Sequence, residues 1–300
     1  MATVRADLGE RRGGVLGGLA SGWQFLRRWP VIPGAVLVAL VIFGVFAPVI
    51  ATQDPRAGGI RDRHIPPAWL DGGSTEHLLG TDHVGRDLFA RMVHGARISL
   101  TIVAVASISG FFVGTGLGLL AGYVGGILDE IITRLVDIWQ ALPFLLVALV
   151  VVIIYGQSYR NLLILLGVLA WVNFVRVIRA QTLVLKTLDY VDMARAMGAS
   201  DIRIMLRHLL PGVLNTAIVI LTLQVGGLIL AEATLSFLGA GIPSPTPAWG
   251  VMVAEGRKYL DSFWWPTVFP GVAIFLVVMS LNFLGDWLRD RLDPRLRQID

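Results

Sequence analysis

The chain has 300 residues, of which 55% are apolar and only 15% charged, against about 25% charged in an ordinary soluble domain. A mean hydropathy of +0.71 describes a chain dissolved mainly in lipid and sets aside the soluble enzyme. The formal charge of +4 does not point to nucleic acid, because all but two of the 25 basic residues are Arg and they flank the apolar runs; the absence of cysteine removes disulfides, thiolate metal sites and cysteine nucleophiles.

A helix rising about 1.5 Å per residue needs around 20 apolar residues to cross a hydrocarbon core of about 30 Å. Residues 1–29 carry five Arg and form an N-terminal tail. The first qualifying run is 30–50. A cleaved signal peptide competes for it, since Arg27 and Arg28 precede it and Val49 and Ala51 fit a cleavage site loosely. The run exceeds the roughly 7 to 15 residues of a signal core, which favours an uncleaved span.

Residues 51–97 follow as a long polar loop. Within it, Thr81 or Asp82 is placed to cap a short helix in which Val84, Leu88 and Met92 recur every fourth residue. That spacing predicts an amphipathic helix on the membrane interface, with Arg86, Asp87 and Arg91 facing water. His77, His83 and His94 lie near Asp82 and Asp87, but their spacings match no compact ligand motif, so no metal site is assigned.

The remaining runs are 98–123, 135–155, 162–177, 211–231 and 265–284, making six spans in one bundle. Gly110, Gly114, Gly116 and Gly118 permit close helix contact in the second. With six spans both termini share a side. That side holds sixteen of the basic residues; the opposite side holds nine, six of them in the 51–97 loop beside six acidic residues. Both termini are therefore expected in the cytoplasm, including the tail 286–300. Glu232 is an acid near the outer end of the fifth span, and an ionisable group at that depth faces a cavity or a partner rather than lipid. It is a candidate for the translocation path or for a bond across an interface. Trp69, Trp249, Trp264 and Trp265 read as interfacial anchors.

Residues 188–211, between the fourth and fifth runs, read as two short helices. Tyr190, Met193, Ala194 and Met197 share a face of the first, and Gly198 can supply a left-handed stop. In the second, Ser200 caps, Asp201 sits in the first turn, and Ile202, Met205, Leu206 and Leu209 form the stripe. Pro211 suits the first turn of the next span. Such a hairpin is slim enough to enter a cavity on another protein. A loop lying on the membrane and a helix-turn-helix are the alternatives, the latter disfavoured by the flanking spans.

These residues resemble a signature. Asp192, Met193, Ala194, then Gly198, Leu210 and Pro211 are similar to the Glu-Ala-Ala…Gly…Leu-Pro loop of binding-protein-dependent ABC importer permeases. Asp192 stands for Glu, Met193 for the first Ala, and His208 for an aliphatic residue. The stretch from His77 to Leu100, the stretch from Leu235 to Gly250, and that from Leu284 to Pro294 resemble the second permease subunit of dipeptide, oligopeptide, glutathione and nickel importers. The resemblance implies an all-α, six-span type I importer fold. It implies a homologous second permease, two cytoplasmic ATPases holding ATP and Mg, and an external substrate-binding protein as partners, in a bacterial inner membrane. No cofactor is expected on this chain, and nickel-chelate cargo or a stand-alone carrier or channel are the alternatives.

By the same resemblance Asp192, Met193, Ala194, Arg195, Gly198, Ala199, Ser200, Asp201, Leu210 and Pro211 couple to an ATPase. Thr81, Asp82, Gly85, Arg86, Asp87, Arg91, Pro247 and Trp249 are the expected docking residues for the binding protein, with a helix that only braces the bundle as the competing reading. No Gly-Lys pair exists, since Leu185 and Arg257 precede Lys186 and Lys258, so a Walker A loop is impossible and energy must come from elsewhere. The scarcity of ionisable residues in the runs weighs against an ion-gradient carrier.

Overall fold

The computed structural model describes residues 30–292; the N-terminal tail and most of the C-terminal one lie outside them. Among the described residues the regular elements are helices, with a single isolated bridge between Thr81 and Asp87. Helix α1 (Val31–Val45) is apolar on every side and stops at Phe46, after which Pro48 lies in the first turn of α2 (Ala47–Ile50). The expected run 30–50 is thus a broken helix. At 15 residues α1 alone rises about 22 Å, short of a bilayer core.

Helix α3 (Leu88–Val124) has 37 residues and begins ten residues before the expected span, because Asp87 caps it by accepting from the Ala90 amide at 2.6 Å. Gly125, at φ +70°, ends it. Helices α4 (Gly126–Ala141) and α5 (Phe144–Tyr155) then meet at a bend of 84°. The sequence reading of 135–155 as one straight span is corrected here. Pro143 cannot donate to a helical ladder and pushes Leu142 into extended backbone, φ −84°, ψ 126°.

Helix α6 (Tyr159–Leu185) is capped by Ser158, whose hydroxyl accepts from the Asn161 amide at 3.0 Å. It is eleven residues longer than expected. After α7 (Asp189–Ala196) comes α8 (Asp201–Phe237), then α9 (Trp249–Gly256) and α10 (Trp265–Leu292). Among the described residues four helices, α3, α6, α8 and α10, are long and apolar enough to span a membrane, and the broken pair α4–α5 makes a fifth if it is one span. A sixth span would rest on the shorter α1.

The bundle is built on α3 against α6. Gly110, Gly114, Gly118 and Gly122 repeat every fourth residue and meet Ala170, Phe174, Ile178 and Thr182 of α6. A Cβ on Gly114 would stand 2.5 Å from that of Phe174. Since lipid offers no hydrophobic drive for helix association, this close approach supplies the dispersion contact that does. The amide of Gln224 on α8 donates to the Ala170 carbonyl at 2.6 Å and ties a third helix to the pair.

Candidate functional site

The 188–211 hairpin closes on two backbone bonds. The Ala199 amide donates to the Ala194 carbonyl and the Gly198 amide to that of Arg195, each at 3.0 Å, with Gly198 at φ +81°. This is the Schellman arrangement, which needs a left-handed residue at Gly198. Ser200 holds the cap position of α8 in extended backbone, and its carbonyl accepts from Ile204 at 2.9 Å, but its hydroxyl makes no capping bond.

The second half of the hairpin is not a separate short helix. Residues Met205–Leu209 form a π turn in which the Leu210 amide reaches the Met205 carbonyl, and the backbone runs unbroken through Pro211 to Phe237. Pro211 has no N–H, and its ring crowds the carbonyl four residues back, so a widened turn before it keeps the helix continuous. Any force on Asp201 is therefore carried directly into a membrane-spanning helix.

The expected stripes divide between two faces. Val191, Ala194, Ile204 and Leu209 are buried on Leu119, Ile178, Val213 and Ala217, fastening the hairpin to α3, α6 and α8. Tyr190, Met193, Met197, Ile202 and Leu206 turn the other way; Met197 is 83% exposed and Ile202 65%. Asp192 and Arg195 pair at 3.1 Å on the surface. Two tethers were invisible in the sequence: the Tyr123 hydroxyl donates to Asp201 Oδ1 at 2.6 Å, and Lys186 Nζ to the Gly122 carbonyl at 2.7 Å. The first joins the hairpin, and the second the end of α6 just before it, to the end of α3.

At the opposite end of α3 the structure corrects the reading of an amphipathic surface helix. Asp82, Arg86, Asp87 and Arg91 do not face water; they are buried, Arg91 at 1% exposure. Asp82 folds a turn about itself, Oδ1 accepting from the amides of Val84 at 2.9 Å and Arg86 at 3.0 Å. Its Oδ2 takes Arg86 Nε at 2.6 Å and also Arg91 Nη1. Both guanidinium groups continue to Glu255 Oε2, at 2.7 Å from Arg86 and 3.0 Å from Arg91, and Ser244 donates to Glu255 Oε1 at 2.7 Å. Burial pushes the Asp82 carboxyl up, but Arg91, the backbone amides of Arg86 and Val84, and the Arg86 charge outweigh it and hold Asp82 below the usual carboxylate range. Glu255 is held low in the same way, burial being outweighed by Arg91, the Ser244 hydroxyl and Arg86.

Around this network the other expected docking residues are also enclosed. Thr81 accepts from the Ile65 amide at 2.9 Å, and its carbonyl takes the Trp265 indole at 3.1 Å. Gly85, at φ +82°, lies against Gly59. His77 Nδ1 is 2.9 Å from Asp87 Oδ2. Pro247 and Trp249 are buried, and the Trp249 indole donates to the Met92 carbonyl at 2.9 Å beside Gly95. Trp249 and Trp265 are thus internal, whereas Trp69 and Trp264 are exposed. Asp82, His83 and Glu255 bring possible ligand atoms within 4.8 Å of one another. Both carboxylates are already neutralised by Arg86 and Arg91, whose charge repels a cation. Glu255 and Ser244 were missed in the sequence because the ion pair to Arg86 spans 169 positions.

Glu232 is 1% exposed, so its side chain does not open onto a surface of this chain. Ser236 donates to Oε1 at 2.9 Å, and Ser99 on α3 stands 3.5 Å from Oε2. The group ties α8 to α3. An amide has the same shape and can satisfy both hydroxyls, so Glu232→Gln is expected to leave assembly and uptake within about twofold, as measured by yield and transport of the purified complex. Loss of transport with normal assembly would restore Glu232 to the pathway.

Residues 114–298 match the family described as binding-protein-dependent transport system inner membrane component. The chain is 44% identical over 279 residues to the dipeptide transport system permease protein DppC of Escherichia coli, covering 92% of this chain and 93% of that one. It is 40% identical to the di/tripeptide transport system permease protein DppC of Pseudomonas aeruginosa, with coverage of 92% and 91%. It is 43% identical to the glutathione transport system permease protein GsiD of Pectobacterium atrosepticum, with coverage of 91% and 90%. Among solved structures, an inward-facing MetNI methionine ABC transporter superposes with a TM-score of 0.56 at 22% identity, over 69% of this chain and 98% of that one, a likeness of fold. With the helical bundle and the hairpin in place, these matches assign the chain to the binding-protein-dependent transport system inner membrane component family, as a permease subunit of an ABC importer in a membrane and not an enzyme.

Proposed function

We propose that this chain pairs with a second, different permease to form the passage for short peptides, and that two ATP-binding subunits drive it from the cytoplasm. The observation that carries this is the exposed apolar face of Tyr190, Met193, Met197, Ile202 and Leu206 on a hairpin continuous with α8. A soluble surface does not keep such a patch uncovered. Seated in a groove of an ATPase, the hairpin moves when the ATPases close, and α8 moves with it. ATP and Mg belong to those subunits. The hairpin and both termini lie, on this reading, on the cytoplasmic side of a bacterial inner membrane, which the excess of Arg beside the hairpin supports. On this reading α1 with α2 completes a first span through a break at Phe46.

Peptide as the cargo class follows from the relatives named for dipeptide, di/tripeptide and glutathione transport. The outer ends of α3 and α9 and the loop before α3 would meet an external binding protein. Arg86, Asp87 and Arg91 would act there as positioning residues, since the buried network sets the loop's shape rather than touching a partner. Nucleic acid has no part in this reading.

The combined change Met193→Asp and Met197→Asp alters two exposed side chains and leaves the buried face intact. It is expected to lower co-purification of the ATPase subunits at least about tenfold, since each buried methionine lost from the interface costs on the order of 1.5–3 kcal/mol. Undiminished ATPase capture, or transport by the isolated chain in vesicles without ATPases, would overturn the reading.

A further inference from the structure

The elbow between α4 and α5 lies against the middle of α6. Leu169 and Asn173 of α6 line a cavity of about 350 Å³ with Trp139, Gln140, Pro143 and Phe144 of the elbow. Asn173 is the fifteenth of the 27 residues of α6 and falls within the apolar run 162–177 of that membrane-spanning helix. It is exposed on this chain, as is Gln140, while Val172 and Phe174 on either side of Asn173 are buried. Leu142 and Pro143, where the helix is interrupted, are exposed as well.

Lipid does not accept this surface. Irregular backbone at membrane depth is tolerated only where protein buries it or where it lines a water-filled cavity. A carboxamide facing acyl chains would forfeit several kcal/mol of hydrogen bonding. The polar strip also continues beyond the elbow. One turn farther along α6, Arg176 pairs with Asp137 of α4 at 2.8 Å, and both side chains remain more than half exposed. An ion pair there is stable only beside water or polar protein.

We propose that Gln140, Asn173 and Trp139, at the α4–α5 elbow, form a peptide-contacting station in the passage through this subunit, with Asp137 and Arg176 lining its continuation toward the hairpin. The inference rests on the transport reading above and specifies which face of the chain the cargo meets. The chemistry suits a peptide backbone. Carboxamides both donate and accept, the indole donates, and none carries a charge, so the station pairs with the amide group that every peptide shares. Asp137 and Arg176 offer both signs in balance, which lets a zwitterion pass without being held by an uncompensated charge. A break within a spanning pair of helices is also where irregular backbone groups become available to a solute.

The chain's lack of cysteine makes the test direct. Asn173→Cys, Gln140→Cys and, on an exposed apolar stretch of α5, Ile153→Cys are made singly in the full complex with cysteine-free partner permease, ATPases and binding protein. A membrane-impermeant cationic methanethiosulfonate is added without nucleotide and after vanadate trapping. Because only the hydrated thiolate reacts, positions 173 and 140 are expected to label about a hundredfold faster than 153 in at least one state. Asn173→Leu with Gln140→Leu is expected to lower peptide uptake about tenfold, the loss of roughly one good hydrogen bond in the crossing step, with binding-protein-stimulated ATP hydrolysis retained. Labelling as slow as at 153 in both states means that a partner helix covers the strip, and overturns the proposal. So does normal uptake by the double variant. If the unaltered complex fails to assemble or to transport with ATP, the transport reading itself fails instead.

Discussion

Gly198→Pro is expected to abolish ATP-driven uptake while the complex still assembles and hydrolyses ATP. Proline holds φ near −65° and has no amide hydrogen, whereas Gly198 sits at φ +81° and donates to the Arg195 carbonyl. The change therefore opens the Schellman closure and frees α7 from α8. The buried anchors Val191 and Ile204 lie on opposite sides of this joint, so each half remains attached while their relative geometry is lost. A Cβ built on Gly198 meets nothing within 4 Å, which isolates the cause as torsional. Gly198→Ala then costs only the left-handed penalty of about 1–2 kcal/mol, and Gly198→Asn less. Parallel measurements of hydrolysis and uptake in proteoliposomes check the series. Uptake should fall more than about tenfold for Pro, with Asn close to the natural protein; unaltered coupling in the Pro variant would refute the rigid-lever account.

Arg91→Met is expected to be the most destabilising single change at the start of α3. Arg91 is 1% exposed and bridges Asp82 and Glu255. Its removal leaves the buried Asp82 and the partly buried Glu255 sharing Arg86 alone, and breaking a buried pair costs about 3–5 kcal/mol. Arg91→Lys recovers part of this, because one ammonium lacks the fork that reaches both acids. Thermal unfolding of the purified complex gives the readout, and a melting temperature unchanged in Arg91→Met would contradict the bracing role. The pH dependence has a definite sign. Asp82 and Glu255 are both held below their ordinary values, so their contribution is complete at neutral pH. It is lost as pH falls below the ordinary carboxylate range toward the depressed values. Arg91→Met should flatten that acid limb.

Several elements were legible before any coordinates because their cause is local. The apolar runs, the left-handed Gly198 and the small-residue repeat of α3 each follow from residues within one or two turns, whereas the break at Pro143 inside the run 135–155 was not read. Other readings failed where distant residues intervene. The period of Val84, Leu88 and Met92 predicted a water-facing side for Arg86 and Arg91, but Glu255, far away in the chain, gives their charges a partly buried partner. Pro211 was read as the start of a span, yet the π turn before it fuses hairpin and span into one helix. Tyr190 and Ala194 looked equivalent on a helical wheel, and only packing on Leu119 and Ile178 separates the buried residue from the exposed one.

By itself, then, the sequence determined that this protein lives in a membrane, cannot hold ATP in a Walker loop, and carries a slim hairpin between two spans, since hydropathy, residue chemistry and backbone preference are written residue by residue. The tertiary structure alone decided which side chains of that hairpin are exposed, that Asp82, Arg86 and Arg91 brace the start of α3 instead of facing water, and that an amide-lined elbow opens beside α6. Those outcomes depend on which surfaces the folded chain brings within contact, and burial and ion pairing across more than a hundred residues leave no periodic trace in the sequence.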